Sequence, residues 1–403
     1  MPRQLDLRTG RPVWSAYRAP KVPVSRLARD VKADVVIVGM GISGAMMAET
    51  LTAAGRSVVV VDRRGPLLGS TMATTALVQF EIDQPLTLLS KKIGKASAER
   101  AWRRSRLAVF NLAARIDELG IRCDCAWKQS LYLAGTTLVA GALRDEAEAR
   151  RLAGIHAAYL TAGELRDRFG MARDGAILSH GNIALDPRKL TAGLLLKALA
   201  RKARLYAPVE AVSFTESRDG VTVATSEGPT ISAGFLILAT GYELMDKVPT
   251  AGHSIISTFA IATAPQKRFD WKNLPLVWEA SDPYLYLRAS ADGRIICGGE
   301  DEDFTDTDRR DALIAQKTAA IAARLKKLLP SIDATPQFAW AGSFGSSGTG
   351  LPLIGRVPRH TRTFAVMGYG GNGITYSQIA SEIVSAAIAG HKDADAGLYA
   401  LDG

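Results

Sequence analysis

The chain has 403 residues, 47% of them hydrophobic and 22% charged, so it is long enough for two domains with sizeable buried cores. This composition excludes a chain that is disordered throughout. No apolar run reaches the roughly 18 to 20 residues of a transmembrane helix, so the sequence predicts no membrane-spanning segment. Cys123, Cys125 and Cys297 have the spacing of neither a zinc site nor a disulfide framework, and we expect free thiols and no metal.

Basic residues are concentrated near the start of the chain, whose net charge is +10. Residues 1–32 contain eight Lys or Arg but only two Asp, and they lack the apolar segment and the cleavage site of a secretory signal. We therefore predict a basic N-terminal arm over residues 1–32 and a cytoplasmic protein. No recognised RNA-binding module accompanies the basic segments, so we expect no nucleic-acid partner.

The predicted elements begin with a βαβ unit over residues 33–65, where a strand, a glycine turn, a helix of small residues and a second strand follow one another. Asp186-Pro187 predicts an N-cap and the first position of a helix that continues to about residue 203. The other predicted elements are helices at 86–119, 138–152, 308–329 and 375–389 and strands at 205–212, 221–225, 235–239, 254–263, 284–297 and 364–367. This interleaving predicts an α/β fold whose domains are built from non-contiguous pieces.

A glycine motif, Gly39-Met40-Gly41-Ile42-Ser43-Gly44, joins the first strand to the first helix, and Asp62 ends the second strand. In such a motif Gly39 allows a tight turn, Gly41 leaves room for a pyrophosphate, and Gly44 lets the helix pack closely on the strand. The helix N-terminus favours the phosphate charge. Because Asp62 can accept hydrogen bonds from a ribose diol and would repel a 2′-phosphate, the motif predicts a dinucleotide other than NADP.

Later segments carry a resemblance to a known family. They are, in chain order, Gly69-Ser70-Thr71, Ala184-Leu185-Asp186-Pro187, Leu238-Ala239-Thr240-Gly241, Gly350-Leu351-Pro352-Leu353-Ile354-Gly355 and Gly368-Tyr369-Gly370-Gly371-Asn372-Gly373. From about Asp34 onward the chain resembles the superfamily of D-amino-acid oxidase, glycine oxidase and sarcosine oxidase. The resemblance implies an α/β fold with a Rossmann-type FAD-binding domain and a second, α+β substrate domain built on an antiparallel sheet.

The resemblance also implies which residues contact FAD. Val209 would lie on the strand that meets the adenine, and the segment before the last helix would stabilise negative charge on the reduced flavin. Segments 69–76 and 343–355 contain no His or Cys that could attach the flavin, so we expect non-covalent FAD. The predicted cofactor-binding residues are Gly39, Gly41, Ile42, Ser43, Gly44, Asp62, Arg63, Ser70, Thr71, Thr74, Val209, Ala239, Thr240, Gly241, Gly370, Gly371, Asn372, Gly373 and Ile374.

We assign residues to the two domains on the same basis. The FAD-binding domain is expected to comprise residues 33–95, 181–250 and 335–403. The substrate domain is expected to comprise residues 96–180 and 251–334.

The predicted substrate residues are Tyr284, Tyr286 and Arg288, which share one face of an alternating strand. If that face lies over the flavin, Arg288 can bind a substrate carboxylate bidentately and a tyrosine can add a hydrogen bond. The alternative is a solvated or structural face of an antiparallel sheet.

These residues predict an FAD-dependent oxidoreductase that oxidises a small amine or amino acid by hydride transfer to flavin N5. That reaction mainly needs orientation and a neutral amine, so no dedicated catalytic base is required. We expect oxygen, a quinone or a carrier protein as electron acceptor. Two alternatives stay open: a flavin-binding subunit of a multi-component dehydrogenase that docks through the basic arm, and a 2-hydroxy acid dehydrogenase.

Overall fold

A computed structural model describes residues 6–249, 252–267, 269–270 and 272–401 of the chain. Its helices are α1 (Ile42–Ala53), α2 (Leu86–Ile93), α3 (Lys95–Leu119), α4 (Ala140–Leu152), α5 (Ala162–Phe169), α6 (Pro187–Ala200), α7 (Thr307–Ala312), α8 (Ile314–Leu328) and α9 (Gly373–Ile388). Among the residues so described, no helix has both the length and the apolar character needed to cross a membrane.

The strands, in chain order, are β1 (Arg8–Gly10), β2 (Val31–Val38), β3 (Val58–Val61), β4 (Leu77–Val78), β5 (Ala126–Leu133), β6 (Ala157–Thr161), β7 (Gly175–Ala184), β8 (Arg204–Tyr206), β9 (Ala211–Glu216), β10 (Val221–Thr225), β11 (Thr230–Leu238), β12 (His253–Pro265), β13 (Leu276–Glu279), β14 (Leu285–Ala289), β15 (Arg294–Glu302), β16 (Pro336–Ser347), β17 (Leu353–Arg356) and β18 (Thr363–Met367). They form two sheets.

The smaller sheet contains the predicted βαβ unit, β2-α1-β3. Its strand order is β17-β18-β11-β2-β3-β8, with β10 and β9 continuing from β11, and the strands from β18 to β8 are parallel. Val35 and Ile37 lie in one hydrophobic core with α1, α6 and α9, whereas Val36 and Val59 lie in another with β9 and β10. Because both faces are covered, these strands have continuous apolar sequences.

The larger sheet has the strand order β1-β16-β12-β15-β14-β13-β5-β7-β4, and β6 also pairs with β7. Neighbouring strands are antiparallel apart from β13 and β5, which are parallel. Ile321 and Leu325 of α8 join a core with Phe259, Ile261 and Leu287 of the sheet. The fold class is therefore as predicted, an α/β unit joined to an α+β unit on a mainly antiparallel sheet.

The structure corrects several predicted elements. The helix predicted over 86–119 is divided into α2 and α3 at Gly94, whose φ of +82° is not helical. The helix predicted over 308–329 is divided into α7 and α8 at Leu313. Strands β5, β6, β7, β13 and β16 were not predicted. β7 is buried over most of its length, so its sequence lacks the alternation that marks a half-buried strand.

The predicted N-terminal arm is part of the folded body in its described residues, 6–32. β1 pairs with β16, and β2 already begins at Val31. Trp14 is 2% exposed, and its indole Nε1 donates a hydrogen bond to the carbonyl oxygen of Thr74 at 2.6 Å. The arm therefore holds the segment that follows Gly69.

Sheet membership crosses the predicted domain bounds. β4, β16 and the last residues of β7 fall within the predicted FAD-binding segments 33–95, 181–250 and 335–403, yet they belong to the larger sheet. These are places where the chain passes between the sheets. The domain bounds remain a prediction, but both sheets contribute walls to the cleft described next.

Candidate cofactor and substrate site

A long cleft lies between the two sheets and has about 1820 Å³ of empty space, its open mouth included. Most of the predicted cofactor and substrate residues line it. They are Gly39, Gly41, Ile42, Ser43, Asp62, Arg63, Ser70, Thr71, Thr74, Val209, Ala239, Thr240, Gly241, Tyr284, Tyr286, Gly370, Gly371, Asn372, Gly373 and Ile374. Gly44 and Arg288 are not among the lining residues.

The glycine motif forms the turn between β2 and α1. Gly39 has a φ of +117°, and a Cβ there would overlap the carbonyl of Ala239. A Cβ on Gly44 would overlap the carbonyl oxygen of Gly39, so Gly44 allows the helix to approach the strand and does not itself face the cleft. Gly41 is the N-cap of α1, and a Cβ at this position would lie 3.3 Å from the hydroxyl oxygen of Thr71. The turn thus presents the N-terminus of α1 to the cleft, as an anion site requires.

Asp62 organises the next turn. Its Oδ2 accepts a hydrogen bond from the Met40 N–H at 2.8 Å, and its Oδ1 accepts from the N–H groups of Arg64 at 2.7 Å and Gly65 at 2.9 Å. Because Oδ2 accepts one hydrogen bond and has a second lone pair, Asp62 can still accept a hydrogen bond from a ribose.

Glu243 holds the two arginines at this end of the cleft. It pairs with Arg63 and, at 2.7 Å, with Arg64. Arg63 was predicted from the resemblance, whereas Arg64 and Glu243 were missed. Glu243 lies 179 residues from Arg64, so no local sequence pattern marks the pair.

Several buried polar atoms in the cleft wall have no hydrogen-bond partner among the described residues. They include the hydroxyl oxygen of Ser70 and the side-chain nitrogen Nε2 of Gln79. An unsatisfied buried polar group costs about 1 to 3 kcal/mol, so such groups in a cleft indicate a polar ligand. Together with the tight turn at Gly39 and the helix N-terminus at Gly41, they fit FAD.

The glycine loop before α9 forms the opposite wall. Gly370 has a φ of +52°, and the N–H of Gly371 donates a hydrogen bond to Asp83 Oδ2 at 2.8 Å. Asn372 lines the cleft, but its amide Nδ2 donates to the carbonyl of Glu81 at 2.6 Å. The predicted loop is therefore in place, and the Asn372 side chain supports it.

Aromatic side chains surround the part of the cleft near Asp83. The rings of Tyr284 and Tyr286 are stacked with centroids 5.6 Å apart, and Trp278 stacks on Tyr132 at 3.9 Å. Trp278 and Tyr286 are cross-strand neighbours on β13 and β14. Burial raises the pKa of Tyr284 well above its usual value, so its phenol stays protonated at neutral pH.

Asp301 lies behind Tyr284 on β15. Burial raises the pKa of its carboxyl to about 6, against the smaller opposing effect of its polar neighbours Thr258 and Tyr284. Thr258 lines the cleft beside the tyrosines. Neither residue was predicted, because no motif marks them and only the sheet brings β12, β14 and β15 together.

The prediction for Arg288 is corrected. Arg288 is 3% exposed, and its Nε and Nη2 donate hydrogen bonds to the carbonyl oxygens of Thr75 at 2.7 Å and Leu185 at 2.8 Å. Its guanidinium also lies over the ring of Trp14 at 5.2 Å. Arg288 shares a strand face with the tyrosines, but it is fixed in the core beneath the arm, so it does not bind a substrate carboxylate in the cleft.

Comparison with known proteins agrees with this geometry. The family model described as FAD dependent oxidoreductase matches residues 34–387. The chain is 22% identical to a probable oxidoreductase, OrdL, of Haemophilus influenzae over 89% of this chain and 83% of that protein, and 24% identical to gamma-glutamylputrescine oxidoreductase of Escherichia coli strain K12 over 94% and 88%.

Among solved structures, glycine oxidase from Geobacillus kaustophilus has a similar fold. It superposes with a TM-score of 0.75 over 92% of this chain and 99% of that one, at 20% identity. The fold, the cleft and the match of the family model over most of the chain lead to one conclusion: this chain belongs to the family of FAD-dependent oxidoreductases.

Proposed function

We propose that this FAD-dependent oxidoreductase oxidises a small amine or amino acid, with FAD held non-covalently across the cleft. The observation that carries the proposal is the aromatic chamber formed by Trp278, Tyr284 and Tyr286, which continues directly from the dinucleotide cleft. Relatives with a similar chain are named gamma-glutamylputrescine oxidoreductase and glycine oxidase, and both names denote oxidation of an amine or amino acid.

Bound FAD supplies the chemistry of oxidation, because it accepts the hydride that leaves the substrate carbon. The chain's own residues bind and orient the amine. The aromatic walls exclude water and limit the poses of a small ligand. The phenol of Tyr284 remains protonated, and its oxygen can accept a hydrogen bond from the substrate nitrogen. The oxidised product is an imine, which water converts to a carbonyl compound and ammonia or an amine.

One of the two alternatives loses support. The described part of the N-terminal arm packs on its own chain through Trp14 and β1, so it is not a free docking segment. The 2-hydroxy acid alternative stays open, because the pairing of Arg288 with main-chain carbonyls bears equally on the carboxylate of an amino acid. We propose a cytoplasmic enzyme that passes its electrons to oxygen, a quinone or a carrier protein.

Anaerobic reduction tests the proposed function. The purified protein should show the visible spectrum of a flavin, and that band should bleach when amines or amino acids are added without oxygen. Bleaching by 2-hydroxy acids alone would show that the enzyme oxidises alcohols and not amines. A bound flavin that no compound of these classes reduces would contradict the proposal.

A further inference from the structure

The charged side chains that line the cleft are unevenly distributed. Asp62, Arg63, Arg64, Glu210 and Glu243 cluster at the end beside Val209. At the aromatic end, where Trp278, Tyr284 and Tyr286 meet Thr258, the described lining contains one charged residue, Asp83, and no Lys or Arg. The two ends of the cleft therefore offer different electrostatic surroundings to a ligand.

Asp83 is fixed at this end by the glycine loop. Its Oδ2 accepts the hydrogen bond from Gly371, which leaves Oδ1 free to accept another. The side chain is exposed to the cleft but enclosed by protein, and this desolvation raises the pKa of its carboxyl. The charge of Asp83 also raises the pKa of Asp301 and of Tyr284. A bound cation would offset the repulsion between the two carboxylates.

The walls around Asp83 suit a cation as well. Aromatic faces attract an ammonium group by about 0.5 to 2 kcal/mol, and Tyr284, Tyr286 and Trp278 present such rings to the cleft. Trp278 is 8% exposed, and its indole Nε1 makes no hydrogen bond to any described residue. That unpaired donor can be met by an acceptor atom of bound flavin, since an alkylammonium carries none.

We propose that the aromatic end of the cleft selects alkyl amines that carry no carboxylate on the oxidised carbon, with Asp83 as the counter-charge of the substrate ammonium. The ammonium then gives one proton to the Asp83 carboxylate, which leaves the neutral amine that hydride transfer requires. This inference rests on the proposed function and narrows its substrate class. An α-carboxylate would lie beside Asp83 with no cation in the described lining to pair with it. Like charges placed together cost several kcal/mol, so amino acids are excluded by repulsion as well as by the lack of a positive partner.

The test compares substrates that differ only in that carboxylate and carry a single amine. Butylamine is matched with norvaline, and pentylamine with norleucine, in anaerobic stopped-flow reduction of the FAD-loaded enzyme. For each pair we expect the amine to have at least about a tenfold higher ratio of reduction rate to Kd. Equal or faster reduction by norvaline and norleucine would overturn the selectivity while leaving the proposed function intact. Reduction by none of the four would count against the proposed function, and the inference would fail with it.

The variant Asp83→Asn tests the role of the charge. Asparagine keeps an acceptor for the Gly371 N–H, and rates are normalised to bound flavin so that partial loss of FAD does not affect them. We expect the preference for butylamine over norvaline to fall at least about tenfold. Asp282→Asn is the matched control, since Asp282 is exposed between β13 and β14 and does not line the cleft. An unchanged preference in Asp83→Asn would overturn the assignment of Asp83.

Discussion

The hydroxyl of Thr71 accepts a hydrogen bond from the main-chain N–H of Ile42 at 3.1 Å. Thr71 belongs to the short helical turn Ser70–Met72, and Ile42 is the first residue of α1. This bond ties the segment after Gly69 to the helix N-terminus at the place where a pyrophosphate would bind, and it leaves the Thr71 proton free to be donated to a phosphate oxygen.

Replacing Thr71 with Val should therefore weaken FAD binding by about tenfold or more, because one phosphate donor is lost and the Ile42 N–H loses its acceptor. The Kd can be measured by titrating the apoprotein with FAD and following the quenching of flavin fluorescence. Thr52→Val is the matched control, since the Thr52 hydroxyl bonds only within α1, to Ala48 at 2.7 Å and Glu49 at 3.0 Å. Equal Kd values for the two variants would contradict a role of Thr71 in the phosphate site.

Gly44→Ala should damage both the fold and the cofactor site. The added Cβ would overlap the carbonyl oxygen of Gly39, and the resulting shift of α1 should cost about 1 to 3 kcal/mol of unfolding free energy and lower the FAD content. In contrast, Gly141→Ala places a Cβ in open space on α4 and should leave both unchanged or slightly improve stability. Urea unfolding and the ratio of flavin to protein absorbance measure the two effects. A fully loaded, equally stable Gly44→Ala protein would be inconsistent with the close approach.

The variant Arg288→Leu distinguishes a structural role of Arg288 from the substrate-binding role that the sequence predicts. Loss of the guanidinium leaves the buried carbonyls of Thr75 and Leu185 without donors, which should cost about 2 to 5 kcal/mol of unfolding free energy. The KM for an amine substrate should stay within about twofold of the wild-type value in the folded fraction. The exposed Arg356, changed to Leu, is the control and should alter stability by about 0.5 kcal/mol or less. A large rise in KM at unchanged stability would indicate that Arg288 contributes to substrate binding.

The raised pKa of Asp301 should make the free energy of unfolding decrease as the pH rises. Its pKa is raised by burial to about 6, from a usual value of 3.8, so the folded protein binds this proton more tightly than the unfolded chain does. The stability that Asp301 contributes is therefore present below about pH 4 and is lost as the pH rises through 6, by up to about 3 kcal/mol. In Asp301→Asn this loss should disappear.

The free energy of unfolding of Asp301→Asn minus that of the wild type should consequently increase between pH 4 and pH 7. Asp292→Asn gives a difference of the opposite sign that develops mainly below about pH 4, since hydrogen bonds from Ser290 and Tyr17 lower the pKa of Asp292 despite its partial burial. Urea unfolding at fixed FAD concentration measures both differences. A difference for Asp301→Asn that does not vary with pH would show that Asp301 ionises as it does in water.

The parts of the fold that could be predicted are those encoded locally. Asp186 caps α6 through bonds to the N–H groups of Arg188 and Lys189, and Pro187 begins that helix, as the dipeptide indicated. The turn at Gly39 and Gly41 could also be predicted from the sequence, because both the backbone conformation and the space for a phosphate are properties of a few adjacent residues.

The substrate end could not be predicted in the same way. Alternation placed Tyr286 and Arg288 on one face of β14, but it does not tell which part of that face lies over the cleft. Two residues along a strand span about 6.6 Å, enough to move Arg288 from the cleft into the core beneath Trp14. Asp83 belongs to no motif, and it meets Gly371 across 288 residues of chain.

Anaerobic titration of the purified protein with an alkyl amine tests the central claim most directly. We predict that the protein carries FAD which denaturation releases, and that one equivalent of amine bleaches one equivalent of bound flavin and yields one equivalent of carbonyl product. A protein without flavin, or one whose flavin neither amines nor amino acids reduce, would contradict the account.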